Sequence, residues 1–484
     1  MTHLTEQWKE DKLCVLLVIG WLLTVVASFF GSYLLPIELP GVGTWYAFRA
    51  LLPITLILYV LCALKRRVFF WKDSTPIEKW CYIFIASMLV CCVVSVPRAI
   101  DLTFSARRMM NLALDLVFFF LGLRLCRNNK IRKLTIYTCA VMTAFIMLLG
   151  LCEVFFGGIV ENQKINLSFF VLFRNFYSPV VFSGNTNDYN ATIIMMLAVI
   201  MLDFLPHKGQ KIDKGKLCYV VLTFSIGYFL AVAGEARLCI IGFAVLLAAL
   251  FLYAIIIERK FRWVPILLLC FVLITQTVTR WHYIYPQGQT FFQELSENGK
   301  TDKSFFHIFK DPDKNSLKDE FIKVDSTTGQ EVVNGATSAG ARTKLLVHAW
   351  HCFWDSKTLG VGLGNSEILA RDNEVIENAK YWNIHCFLAR IIADGGLFAL
   401  VPLCAIAFLM LRAALQGIVE AMEKKRRGVC GYSLGLLASI IIYPIVSTAS
   451  SDAQDIFPMW LYLAILTLHC ACAHSCLQSE RKSI

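Results

Sequence analysis

Residues 217–257 read LCYVVLTFSIGYFLAVAGEARLCIIGFAVLLAALFLYAIII, two long apolar runs joined by the short turn Gly234-Glu235-Ala236-Arg237. Each run approaches the roughly 20 residues that a helix needs to cross an apolar core about 30 Å thick. The pattern extends along the whole chain. It has 484 residues, of which 57% are hydrophobic and 17% charged, with a mean hydropathy of +0.60. A soluble domain of this size could not hide so much apolar surface, so much of it must face lipid. Apolar runs fall at 13–35, 44–64, 80–97, 109–126, 134–156, 189–205, 217–234, 238–257, 263–279, 385–411, 432–450 and 456–476. The expected fold is therefore an all-α polytopic membrane protein of about 12 transmembrane helices.

The net charge of +11 does not point to nucleic acid, because the basic residues stand in short clusters between apolar runs rather than along one face. Such clusters mark cytoplasmic loops. With a cytoplasmic N-terminus, Lys65-Arg66-Arg67, the stretch Arg124 to Lys133, Lys208 to Lys216, Glu258 to Arg262 and Lys424 to Arg427 all fall inside, as does the C-terminal tail. Arg107-Arg108 is the exception, at an outer end. The segment MTHLTEQWKEDK lacks a small-residue cleavage site, so the first run reads as a retained helix and not a removed signal peptide. Cysteines such as Cys91, Cys92, Cys270 and Cys404 lie inside apolar stretches and act as small hydrophobes. Disulfides are not expected, since the largest outer loop holds only Cys352, with Cys386 at its end.

Outward segments are then 157–188, the 234–237 turn and one loop of 280–384. The chain divides into five helices over 1–156, helices six to nine with an outer Asn-rich segment over 157–279, the large loop over 280–384 and three helices over 385–484. The loop is rich in Lys, Asp, Asn, Gly and Ser over 295–340. Farther on, Leu345, Leu346, Ala349, Trp350 and Phe353 recur near a helical period. There is no internal repeat, which weighs against a transporter.

Five features could carry chemistry. Arg237 is flanked closely by two apolar spans, where a charge is expensive and usually has a partner or ligand; the plainer account is snorkelling to the headgroups or pairing with Glu235. Arg342 opens an apparent helix that leads to Gly360-Val361-Gly362-Leu363-Gly364-Asn365. Alternating glycines let a backbone approach something closely or turn sharply; no Lys-Ser/Thr pair follows, so this is not a P-loop. His385 stands at the mouth of the tenth run, where a satisfied surface histidine is the commoner reading. Arg390 and Asp394 follow it, four apart, and could pair. The polar run Phe182 to Asn190, with Asn187 inside it, precedes a helix and could cap it or receive an anion. Last, the His469-to-Cys476 segment fits no standard zinc spacing, and no metal is expected.

Together these segments resemble the O-antigen ligase and polymerase superfamily of bacterial membrane glycosyltransferases. The likeness lies in the Asn-rich segment before a helix (Gly184 to Ala191) and in the inter-span turn Glu235-Ala236-Arg237. It continues in the Arg-led helix ending in Gly360 to Asn365, and in His385 followed by Asp394-Gly395. It covers roughly residues 180–410. Ala236 and Leu238 stand where the family's turn has Ser and Gly, Leu346 where it often has Trp, and Cys386 where it has Asn after the His. The resemblance implies a GT-C-like fold and an inverting, metal-independent transfer without cofactors. It implies a polyprenyl-diphosphate-linked glycan (undecaprenyl diphosphate) as donor, with lipid A core or another glycan as acceptor, at the outer face of the cytoplasmic membrane. A ligase and a polymerase both fit, with a slight lean to the ligase; a lipid-linked sugar flippase or exporter is the alternative of another class. On that footing Arg237 and Arg342 are expected to clamp the diphosphate and His385 to take or orient the acceptor proton. Arg174, Asn187, Arg280, Gly362, Asn365 and Arg390 are expected against substrate.

Overall fold

The protein is seen in a computed structural model that describes residues 12–39, 43–66, 71, 73–156, 164–165, 176–183, 185–204, 213–254, 263–284, 322–324, 331–333, 338–376, 383–423, 427–448 and 456–481. Its helices are α1 Lys12–Phe30, α2 Ala47–Arg66, α3 Pro76–Ser95, α4 Leu102–Leu125, α5 Asn129–Phe156, α6 Thr186–Phe204, α7 Lys214–Ala233, α8 Arg237–Leu252, α9 Trp263–Ile284, α10 Ser338–Asp355, α11 Asn365–Asp372, α12 Phe387–Gly395, α13 Leu397–Glu423, α14 Arg427–Ser447 and α15 Phe457–Arg481. Three two-stranded antiparallel ribbons, Ile37–Leu39 with Gly43–Trp45, Lys164–Ile165 with Phe176–Tyr177 and Ile322–Val324 with Glu331–Val333, decorate the connections.

Each apolar run of the sequence is helical. Among the described residues, seven helices are long and apolar enough to cross a membrane: Lys12–Tyr33, Ala47–Arg66, Pro76–Arg98, Asn129–Phe156, Lys214–Ala233, Leu397–Glu423 and Val429–Ser447. Arg237–Leu252, Trp263–Gln276 and Phe457–Ala473 are shorter apolar helices. The chain is a multi-pass helical membrane protein. The helices α4 and α6 fall outside both groups. Arg107, Arg108, Asp115 and Arg124 interrupt α4, and α6 opens on Thr186-Asn187-Asp188.

Helix α6 is the axis of the bundle. Every residue from Asp188 to Leu202 is buried, and α5, α7, α8, α14 and α15 pack around it. A helix apolar on all sides belongs in such a place. Aromatic rings lock the other helices: Phe48 stacks on Phe457 at 4.0 Å, and Phe387 meets Trp460 edge-on at 5.2 Å. Side-chain hydrogen bonds also join the helices, as when the Trp21 indole N–H donates to Thr135 Oγ1 at 2.9 Å. Glu153, fully buried on α5, accepts the backbone N–H groups of Val180 and Val181, both at 2.8 Å. That anchors the segment leading into α6.

The run 385–411 reads as one span, but the structure breaks it at Gly396 into α12 and α13. Gly396 has φ +57° and ψ −139°, a region open to glycine and little else. A Cβ there would lie 2.3 Å from the Thr358 carbonyl oxygen. The partner at this crossing is Gly360, φ +83°, whose own Cβ would sit 2.3 Å from the Asp394 carbonyl oxygen. The two backbones touch, and hydrogen bonds seal the crossing: Val361 N–H to Ala393 O, Gly362 N–H to Asp394 O (both 3.0 Å), and Leu397 N–H to Thr358 O at 2.9 Å. The alternating glycines therefore wrap the end of α12. Inside the wrap the Asp394 carboxylate accepts from Gly364 N–H at 3.0 Å and Ser366 N–H at 3.2 Å.

A second buried carboxylate ties this loop to the first half of the chain. Glu367 pairs with Arg108 of α4 at 2.8 Å and with Arg390 of α12 at 3.0 Å. The expected Arg390–Asp394 pair gives way to this arrangement, because Asp394 is turned into the glycine loop. Arg390 also donates to Asn383 Oδ1 at 3.2 Å. Asn365 completes the seam: its Nδ2 donates to Arg98 O and its Oδ1 accepts from Ile100 N–H. Arg108, the apparent exception to the placement of basic residues, is thus explained by Glu367.

Two predictions follow from the crossing. Gly396→Ala should destabilise the protein by about 2–5 kcal/mol, from a left-handed backbone combined with an overpacked contact. This is measured as loss of monodisperse protein in detergent on mild heating. Asp394 has its carboxyl pushed up to about 6 from 3.8, by burial first and by Glu367, against the hydrogen bonds from Ser366 and Gly364 and the charge of Arg390. A folded-state pKa above the unfolded one contributes stability that is present below about pH 4 and lost as pH rises through about 6. The wild type should accordingly gain thermal stability relative to Asp394→Asn as pH falls from 7 to 4; a difference flat in pH would refute this.

Candidate active site

The ends of several helices converge on one end of the bundle. Gly234, in the turn between α7 and α8, lies against the first turn of α6; a Cβ on it would be 2.2 Å from Thr186 Oγ1 and 3.0 Å from Asn190 Nδ2. Glycine is needed there for closeness. The turn is tight: Ala236 N–H donates to Ala231 O at 2.9 Å, and Glu235 takes φ +52°. Glu235 and Arg237 are exposed while Ala236 is fully buried, so the turn is nailed down by its alanine and presents its charged residues outward.

The polar run before α6 is partly a cap, as its composition predicts. Asn185 Oδ1 accepts the Asp188 N–H at 2.9 Å and its Nδ2 donates to Asp188 Oδ2. Asn187 follows the first helical residue, and its carbonyl lies 4.0 Å from Cys239 Sγ on α8. The starts of α6 and α8 are therefore side by side.

Helix α10 brings its N-terminal part to the same corner. Arg342 is half-buried. Its pKa is lowered by burial and then by the positive charge of Arg237, with Cys239 acting in the opposite sense. The two arginines, 105 positions apart by subtraction (342 minus 237), are near enough to feel each other's charge. Like charges in a partly desolvated place repel and favour a bound anion.

His385 is half-exposed and precedes α12, a helix that packs on α10 and touches α14. Its neighbour Cys386 accepts from Thr448 Oγ1 at the end of α14, at 3.6 Å, and α14 in turn lies along α8. His385 thus belongs to the same end of the bundle as the two arginines.

Other expected site residues have different surroundings. Arg390, 3% exposed, has its charge matched by Glu367. Gly362 and Asn365 belong to the loop wrapped on α12. Arg174 lies outside the described residues, as does the side chain of Arg280, whose backbone is in α9. Of the His469-to-Cys476 segment, His469 is held by Tyr432 at 2.7 Å, while His474 to Cys476 have no described side chains. Sequence reading missed Glu367 and Glu153. Glu367 stands two residues after Asn365 in what looks like an ordinary polar helix, and only its two arginine partners reveal its burial.

Residues 219–404 match the family model described as O-antigen ligase. The chain is also 21% identical to the teichuronic acid biosynthesis protein TuaE of Bacillus subtilis (strain 168). That alignment runs over 406 residues, 82% of this chain and 74% of the relative. The match to the family model spans Arg237, Arg342, the glycine loop and His385, and so takes in three of the four segments that carry the resemblance; over this stretch the chain is similar to the O-antigen ligase family.

Proposed function

We propose that this chain is an O-antigen ligase-type glycosyltransferase. It moves a glycan from undecaprenyl diphosphate to an acceptor hydroxyl, on lipid A core or another surface glycan, at the outer face of the cytoplasmic membrane. In this reading twelve helices span, the fold is GT-C-like, both termini are cytoplasmic, and the 280–384 loop faces out. The observation that carries it is that Arg342, on a helix of the large loop, lies near enough to Arg237, in a turn between two apolar helices, to have its charge disfavoured by it.

The outer compartment offers no nucleotide sugar, so the donor arrives already activated by its diphosphate. Transfer forms a bond from the acceptor oxygen to the sugar's anomeric carbon and breaks the bond from that carbon to the diphosphate oxygen. The leaving diphosphate gains negative charge as this bond breaks. Two guanidinium forks answer that charge, each able to give paired N–H bonds to phosphate oxygens. The acceptor proton goes to His385, which either removes it as base or orients the hydroxyl. Attack opposite the leaving group inverts the anomeric centre, and no resident metal is invoked. Arg174, Asn187 and Arg280 remain secondary candidates for donor contacts. Arg390, Gly362 and Asn365 we assign to holding the loop in shape, since Arg390 is engaged with Glu367, Gly362 N–H with the Asp394 carbonyl, and Asn365 with Arg98 and Ile100.

A polymerase is the second reading. The relative named for teichuronic acid biosynthesis, and not for lipopolysaccharide, favours it. A purified lipid-linked repeat unit given alone separates the two: a polymerase returns a ladder of longer chains, and a ligase returns nothing until a second acceptor is added.

Arg237→Ala and Arg342→Ala should each lower transfer by about 10²–10³-fold, the loss seen when one preorganised charge-stabilising donor is removed. Membrane levels should be unchanged, and Lys should restore only part of the activity because it lacks the fork. His385→Ala should cost about 10²–10⁴-fold. Normal transfer by both arginine variants would overturn the proposal.

A further inference from the structure

Among the described residues, helix α10 is not one of the membrane-crossing helices, yet it has an apolar face that they leave exposed. Its residues sort into three stripes. Leu345, Ala349, Cys352 and Phe353 are buried, the first three in a small core with Ile384 and Ala393 beneath the loop. Lys344, His351 and Asp355 form a polar stripe on which His351 and Asp355 are exposed. Between these runs Leu346, Trp350 and Trp354, spaced four apart on one face, with Val347 beside them. All four are exposed, Trp350 at 59% and Trp354 at 52%. The two indoles meet at 5.5 Å, 78° apart.

The location of this face says what covers it. The end of α10 is fastened to the first residue of the spanning helix α13 through the bond from Leu397 N–H to Thr358 O. α13 is in turn fastened to the spanning helix α3 through Ser87 Oγ and Phe398 O at 2.8 Å. Exposed Leu359 follows α10, and exposed Leu397, Phe398 and Val401 open α13. The exposed apolar residues at the start of α13, which lipid must cover, are thus joined through exposed Leu359 to the end of α10 that carries Trp354. Tryptophan is enriched at the boundary between acyl chains and headgroups. A helix with packed, apolar and polar stripes is built to lie in that boundary.

We propose that α10 lies along the membrane surface with Leu346, Trp350 and Trp354 set into the phospholipid leaflet and Lys344, His351 and Asp355 facing water. The inference rests on the multi-pass membrane reading and not on the transfer reaction. Its consequence for the proposed reaction is positional: Arg342, one turn before Leu346, is held at the depth of lipid phosphates, where a membrane-bound diphosphate arrives.

The test uses the full-length protein with photoreactive benzoylphenylalanine placed singly at 350, 354, 351 or 355. A fifth probe goes at 408, exposed on α13, as the lipid-facing reference. Each protein is reconstituted into vesicles of phosphatidylethanolamine and phosphatidylglycerol with tritiated acyl chains, free of any polyprenyl lipid, and irradiated. Positions 350 and 354 should take up label at a level near that of 408 and several-fold above 351 and 355. Labelling of 408 without labelling of 350 and 354 would overturn the proposal. So would equal labelling at all four α10 positions, or adducts from 350 and 354 to protein in place of lipid. None of these readouts requires glycan transfer, so a failure here leaves the arginine test standing and the reverse holds as well.

Discussion

A guanidinium group in an apolar setting must have its charge answered, and at this end of the bundle one buried carboxylate does so for two arginines. Arg108 and Arg390 converge on one buried carboxylate, Glu367, at 2.8 and 3.0 Å. Arg342, half-buried, has its charge disfavoured by burial and by the like charge of exposed Arg237. Removing one partner of a buried ion pair costs about 3–5 kcal/mol, because the other charge is stranded. The Glu367 trio is accordingly a fastening. Under the proposed function, the like charges of Arg237 and Arg342 are the arrangement that a bound diphosphate would improve.

The fastening makes the second arrangement possible. Arg237 is positioned by a turn nailed to α6 through Gly234 and Ala236. Arg342 belongs to a different part of the chain and reaches the corner only if α10 is held in a fixed place. α10 packs on α12. α12 is wrapped by the glycine loop at Gly360 and Gly396, and the loop is bound through Asn365, Leu363 and Glu367 to the α3–α4 connection. Residues from the first five helices, outside the stretch that matches the family model, therefore set the distance between two residues inside it.

Much of this was legible in the sequence because it depends on local pattern. The apolar runs gave the helices, since length and hydropathy are properties of a window. The Arg237 turn was legible because a charge between two apolar runs is conspicuous. What could not be read is what depends on two distant segments meeting. The run 385–411 hides a break because Ala393-Asp394-Gly395-Gly396 has no proline and only a short polar interruption; the break exists because Gly360 comes from elsewhere to lie against it. Glu367 looked like a solvated helix residue, and Arg108 like a violation of charge placement. Each explains the other, but only once the fold brings them together.

The glycine loop shows how the two kinds of anion site are kept apart. Alternating glycines with φ near +80 to +100° turn successive N–H groups inward, a concavity suited to anions. In sequence it reads as a close backbone approach or a sharp turn, with Gly362 and Asn365 expected against substrate. In the structure Asp394 fills it, taking the N–H groups of Gly364 and Ser366. A backbone concavity holding a carboxylate from its own chain is a structural joint, fixed at synthesis. Under the proposed function the anion site is instead the Arg237–Arg342 corner, where burial and a like charge disfavour the charge of Arg342. The same loop that reads as ligand-binding is thus the part that holds α10 and Arg342 in place, and under the proposed function a rigid cationic pair would stabilise a leaving diphosphate without first having to reorganise.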